Sequence, residues 1–92
     1  MAQTVSECLT AATDSVTVIN DINSKGLSST HLGLGATQAD ANAKVKANVD
    51  HLTLILAYDG TAETPNVKDA SDNKSSYTTA ITTGNTYISN NS

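Results

Sequence analysis

Two histidines and a single cysteine are the side chains best suited to act as a base, a metal ligand or a strong nucleophile near neutral pH. Neither His31 nor His51 has a second histidine or a glutamate three or four residues away, the spacing that places zinc ligands on one helix face. Cys8 is the only cysteine, so it forms neither an internal disulfide nor a cysteine-based zinc site. We therefore expect no metal and no cofactor, with histidines at the surface or in caps and with Cys8 as a small buried side chain.

Hydroxyl groups are plentiful, since the chain contains 14 Thr and 10 Ser. A hydrolase also needs a base and an orienting partner beside its nucleophile, and no serine lies in a GxSxG nucleophile elbow. Carboxylates and asparagines cluster in residues 59–73, but without the spacing of a calcium-binding EF-hand. We expect these polar groups to be solvated helix caps, and we expect no catalytic residue and no enzymatic activity.

Arginine, tryptophan and phenylalanine are absent from the 92 residues. Arginine supplies the forked contact to phosphate, and tryptophan and arginine dominate strong protein–protein contacts. The five lysines form no basic stripe, and nine acidic residues give a net charge of −4. These features argue against nucleic acid as a partner, and the lack of a long apolar run argues against a membrane span.

Apolar residues recur every three or four positions in two segments, as they do on one face of a helix. In the first segment they are Val5, Leu9, Ala12, Val16, Ile19 and Ile22. In the second they are Val45, Val49, Leu52 and Leu56. Both predicted helices start with a pattern typical of an N-terminal cap, a threonine followed three residues later by an acidic residue. The pairs are Thr4 with Glu7 and Thr37 with Asp40. Glycine follows both predicted ends, at Gly26 and Gly60, so the sequence predicts two helices.

Residues 71–92 fit two structures. Tyr77, Ile81, Gly84 and Ile88 repeat the helical spacing, and Asp69 or Ser71 could cap such a helix. The many threonines favour strands instead, as a hairpin turning at residues 84–85. We predict the helix, because its spacing matches the first two segments and an isolated hairpin is marginally stable. The predicted fold is all-α, an antiparallel three-helix bundle with two long connections in one domain of residues 1–92; the alternative is two helices followed by a C-terminal β-hairpin.

The end of the second predicted helix is apolar on nearly all sides, which a helix with one solvated face does not need. The first connection, residues 26–36, also carries leucines, and it either caps one end of the bundle or forms an exposed apolar finger for a partner. Surplus apolar side chains of this kind predict a protein interface. The predicted interface residues are Val18, Leu32, Leu34, Leu54, Ile55 and Tyr58.

Two stretches of the chain resemble small structural proteins of tailed phages, especially phages of marine cyanobacteria; they are HLGLGATQADANAKVKANVDHLTLILAYDGT and SSYTTAITTGNTYIS. The resemblance implies a repeated virion subunit, such as a capsid decoration or head–tail protein, that is built in a bacterial cytoplasm and has no catalytic residues. We therefore expect a non-enzymatic structural subunit in the virion, or otherwise in the cytoplasm, that binds copies of itself or a major capsid protein. The alternative is a small regulatory or inhibitory module that binds one protein partner.

Overall fold

Three α-helices follow one another in the computed structural model, which describes residues 3–92. They are α1 (Val5–Lys25), α2 (Gln38–Leu56) and α3 (Ser75–Asn90), and a 3₁₀ turn (Gly26–Ser28) directly follows α1. Each helix contacts the other two, and residues 3–92 contain no strand. The predicted all-α three-helix bundle is confirmed, and the alternative with a C-terminal hairpin is wrong.

Both predicted N-terminal caps are present. Thr4 Oγ1 accepts a hydrogen bond from the Glu7 backbone N–H at 3.1 Å, and Glu7 Oε1 accepts one from the Thr4 N–H at 2.9 Å. Thr37 and Asp40 form the same reciprocal pair at the start of α2. These bonds satisfy backbone N–H groups that the first turn of a helix leaves without a partner. At the other end of α1, Gly26 has φ of +60°, a conformation that favours glycine.

The third helix begins later than the sequence analysis predicts. Neither Asp69 nor Ser71 caps it. Instead, Asn73 Oδ1 accepts hydrogen bonds from the backbone N–H of Ser75 at 3.0 Å and from its hydroxyl at 2.8 Å. An asparagine side chain that bonds two residues ahead is a common way to start a turn, and here it leads directly into α3.

The core lies along the line where the three helices meet. Its largest fully buried side chains are Ile19, Ile22, Leu52, Val45, Val67 and Cys8. The inward face of α3 carries Ala80, Gly84 and Tyr87. A methyl group at Gly84 would overlap Val49 Cγ2 and lie 3.1 Å from Val45 Cγ1, so α3 rests directly on α2 at this glycine.

The bundle is elongated, with extents of 43 × 23 × 16 Å, and α2 runs antiparallel to α1 and α3. At one end, which we call the first-connection end, Gln38 Nε2 donates to the Tyr87 hydroxyl at 3.0 Å. At the opposite, second-connection end, the Ala62 N–H donates to the Gln3 carbonyl at 3.2 Å. Val67 from the second connection is fully buried and closes this end of the core.

Candidate interaction surface

Among residues 3–92, the most exposed large apolar side chain is that of Leu34, at the first-connection end. Its relative exposure is 110%, which means that the side chain projects from the protein with almost no contact. It lies between Gly33 and Gly35, and the Ala36 N–H donates to the Gly33 carbonyl at 3.1 Å to close a tight turn. Gly35 has φ of +78°, so the turn uses the backbone freedom of glycine. We call residues 33–35 the Leu34 tip.

The rest of the first connection is packed against the protein. Leu32 is half-buried and contacts the core, while Leu27 is 47% exposed. The connection therefore combines the two structures that the sequence left open: Leu32 covers the end of the core, and Leu34 projects from it.

A shallow apolar depression lies at the opposite end of the molecule. It has a volume of about 150 Å³ and is lined by Gln3, Cys8, Leu54, Ile55 and Tyr58. Leu54 lines it and is 71% exposed, whereas the other apolar residues near it on α2, Leu52, Ile55 and Leu56, are buried or half-buried. We call this feature the Leu54 depression.

The other predicted interface residues lie deeper. Val18 and Tyr58 are half-buried and pack against the core. Ile55 is only 8% exposed and belongs to the core, and the exposed edge of its side chain lines the Leu54 depression. The buried face of α2 continues from Leu52 to Ile55, three residues on, whereas the sequence analysis continued it to Leu56, which is half-buried.

Cys8 is buried, at 1% exposure, as the sequence predicts. Burial raises the pKa of its thiol, and the nearby carboxylates of Glu7 and Glu63 raise the pKa further. Both effects disfavour the thiolate, which is the nucleophilic form of cysteine. Cys8 is thus a small core side chain with low reactivity.

His51 forms a hydrogen bond that the sequence analysis missed. Its Nδ1 lies 2.9 Å from Ser15 Oγ and so joins α2 to α1. A serine beside a histidine is also the start of a nucleophilic pair, but Ser15 is only 3% exposed and a substrate could not reach its oxygen. The contact instead gives a buried hydroxyl its partner. The signal in the sequence was a serine on the apolar face of α1, seven residues after Cys8 and four before Ile19.

His31 belongs to a polar cluster that fastens the first connection to α1. Asp21 accepts hydrogen bonds from the Ser29 hydroxyl at 2.5 Å and pairs with Lys25 at 2.9 Å, while His31 Nε2 lies 4.0 Å away. The Ser29 hydroxyl and then the Lys25 ammonium hold the pKa of Asp21 below its usual value. Ser29 Oγ also accepts a hydrogen bond from the His31 backbone N–H at 3.2 Å.

The second connection contains a pair that the sequence analysis overlooked, because Ser71 and Lys74 have the SxxK spacing of some serine hydrolases. The Lys74 ammonium donates to the backbone carbonyls of Val67 and Lys68. Lys74 therefore holds the connection in place, and no hydrogen bond joins it to Ser71 in the described chain. Within residues 3–92 no three His, Cys, Asp or Glu side chains are close enough to hold a metal ion together.

Comparisons with protein-family models, curated proteins and solved structures found no match to this chain. Among the helices of residues 3–92, none combines the length and apolar character needed to cross a membrane.

Proposed function

We propose that this protein is a non-enzymatic assembly subunit that binds other proteins through apolar side chains at its two ends. The observation that carries the proposal is the placement of Leu34 and Leu54. Both are exposed leucines, and they lie at opposite ends of a bundle 43 Å long. A subunit of a repeated structure needs contacts in two directions, and these two side chains provide one at each end.

The backbone that carries each leucine is held by the fold, which supports the proposal. Leu54 projects from an α-helix, while the Leu34 tip directly follows Leu32, which packs against the core, in a connection that the Ser29–Asp21 hydrogen bond fastens to α1. Neither side chain must be ordered by the partner beyond its own rotamer, which keeps the entropic cost of binding low.

Single contacts of this type are weak. Burial of one leucine contributes about 1.5–3 kcal/mol, whereas association of two proteins costs at least about 4 kcal/mol in lost freedom. Association of the isolated chain therefore requires burial of the side chains around each leucine as well. Stable attachment therefore depends on many copies acting together, because repeated weak contacts multiply in avidity. This requirement agrees with the finer proposal that follows from the resemblance to phage structural proteins: a repeated virion subunit, such as a capsid decoration protein, that meets its own copies or a major capsid protein.

Light scattering coupled to a sizing column tests the proposal. The native chain should show a mass that rises above 9.5 kDa as its concentration increases, and a Leu34→Ser, Leu54→Ser variant should stay at 9.5 kDa. The matched control is Leu27→Ser, a leucine of intermediate exposure in the same connection as Leu34. A native chain that remains a monomer up to millimolar concentration would contradict self-assembly, and would favour the alternative of a module that binds one foreign protein.

A further inference from the structure

We infer that the Leu34 tip of one copy inserts into the Leu54 depression of a second copy, so that copies associate head to tail. This inference rests on the proposed function, because it names the partner that both exposed leucines meet. Three features of the structure carry it: the size of the depression, the charge at the two ends, and the position of the ends.

The depression has the size and lining for a leucine side chain. A closed apolar cavity of about 150 Å³ holds a molecule as large as benzene; a depression of this volume that is open to solvent covers one side of a leucine side chain, whose four carbons are smaller than benzene. The depression measures about 150 Å³, and Cys8, Ile55 and Tyr58 give it apolar walls. The glycines on both sides of Leu34 leave no neighbouring side chain to obstruct its entry.

One such contact also covers both exposed leucines. Leu54 lines the depression, so a leucine that enters it lies against the Leu54 side chain. The two most exposed large apolar side chains of the described chain would then bury one another.

The two ends differ in charge. The second-connection end carries five carboxylates and two lysines: Glu7, Asp59, Glu63, Asp69, Asp72, Lys68 and Lys74. The first-connection end is balanced, with two carboxylates, two lysines and a histidine: Asp21, Asp40, Lys25, Lys44 and His31.

Individual charges near the tip and near the depression are also of opposite sign. Lys44 shares the surface beside Leu34 with Asp40, whose carboxylate is bound in the α2 cap, and Lys44 has no ion pair within residues 3–92. Glu63 lies at the same end of the molecule as the depression, in the neighbouring groove lined by Val5, Leu9 and Tyr77. Insertion of the tip would bring Lys44 of one copy toward Glu63 of the next. Opposite charges around an apolar contact select the orientation in which the two copies meet.

The geometry excludes a contact of the tip with the depression of its own chain. Leu34 precedes the start of α2 and Leu54 lies near its end, so about 24 Å of helix separate them. The contact must therefore join two copies through different surfaces. Each added copy leaves one free tip and one free depression, so the association forms rows, or rings if the rotation between copies closes.

Disulfide trapping between two single-cysteine replacements tests the inference. Gly33→Cys and Ala57→Cys chains, which keep both leucines, are mixed at high concentration with one of them labelled with ¹⁵N. The mixture is oxidised, and the linked peptides are identified by mass spectrometry. Gly33 adjoins Leu34, and Ala57 follows Leu54 by three residues, about one helical turn. We expect a 33–57 link at a yield about tenfold or more above that of the matched control mixture, Leu27→Cys with Ala57→Cys. All three positions are exposed, so the replacements should leave the fold intact. The native Cys8 is buried, and peptide identification separates any link that it forms.

Two results would overturn the inference. One is a dominant 33–33 link in the Gly33→Cys chain alone, which indicates a symmetric tip-to-tip contact. The other is a 33–57 yield no higher than that of the control mixture. If the native chain still associates in light scattering when the link is missing, the proposed function stands and only the head-to-tail contact fails.

Discussion

Replacement of Gly84 by alanine should destabilise the protein, although alanine is the better helix former. Away from other atoms, this replacement in a helix stabilises by about 1 kcal/mol. Here the added methyl group would overlap Val49 Cγ2 and lie 3.1 Å from Val45 Cγ1. Valine in a helix has one strongly preferred rotamer, so neither side chain can turn away and α3 must shift from α2. Overpacking of this kind costs about 1–3 kcal/mol. Because the methyl group overlaps Val49 outright, we expect a cost of about 2–3 kcal/mol, which leaves a net loss of about 1–2 kcal/mol after the gain in helix propensity.

The loss can be measured by urea unfolding followed by far-ultraviolet circular dichroism, since the chain has no tryptophan for fluorescence. A loss of 1–2 kcal/mol corresponds to a decrease in Tm of about 4–16 °C for a domain of this size. Gly33→Ala is the matched control, because no atom lies within 4 Å of the added methyl group and stability should change by less than about 0.5 kcal/mol.

A double-mutant cycle identifies the contact responsible. In a Val49→Ala background the overlapping methyl group is gone, so Gly84→Ala should become neutral or stabilising, with a coupling of about 1 kcal/mol or more. A Gly84→Ala chain at least as stable as the native protein would refute the reasoning, because α3 would then not rest on α2 at this glycine.

Three further predictions test the core, the charges and the caps. Ile55→Ala should lower the free energy of unfolding by about 2–5 kcal/mol, whereas Leu54→Ala should change it by less than about 0.5 kcal/mol; equal effects in urea unfolding would contradict the burial of Ile55. Because the pKa of Asp21 is lower in the folded chain than in the unfolded chain, its contribution to stability is present above about pH 4 and is lost as the pH falls through the folded pKa. Asp21→Asn should therefore flatten the fall in stability between pH 5 and pH 2, and an unchanged acid profile would contradict the cluster. Thr37→Ala should cost about 1 kcal/mol through loss of the α2 cap, while Thr30→Ala at an exposed turn serves as a nearly neutral control in the same melts.

The starts of α1 and α2 were predictable because each depends on a local pattern. A threonine followed three residues later by an acid satisfies two backbone groups within one turn, so the neighbouring residues alone determine the cap. The start of α3 was not predictable in this way. Residues 69–76 contain several possible caps. Lys74 and the buried Val67 fix the path of the second connection, and on this path it is the Asn73 side chain that accepts the hydrogen bond from Ser75.

The threonines of α3 favoured a strand, and packing against α2 outweighed that preference. Thr78, Thr79 and Thr82 face solvent, where the low helix propensity of threonine destabilises the helix by only a few tenths of a kcal/mol per residue. Ala80 and Gly84 face the core and permit the close approach of α2. Tertiary contact therefore determined the helix, and the spacing of small and apolar residues was its only trace in the sequence.

The candidate surface was predictable only in part for a similar reason. Composition near the end of α2 indicated more apolar side chains than one face requires, but adjacent residues on a helix point in directions about 100° apart. A shift of one position in the assumed face exchanges a buried residue for an exposed one. Leu54 and Ile55 show this, because one is 71% and the other 8% exposed.

The hydrogen bond between Ser15 and His51 has a consequence for how α1 and α2 are aligned along their length. The buried faces of the two helices are mostly aliphatic, with side chains such as Ala12, Ala41 and Val45, and apolar contacts of this kind are not directional. A slide of one helix along the other by a turn would move the Ser15 hydroxyl away from its partner and leave it buried and unpaired, at a cost of about 1–3 kcal/mol. One polar pair thus adds a directional constraint on the register of the two helices, and in doing so it holds the end of α1 level with the start of α2.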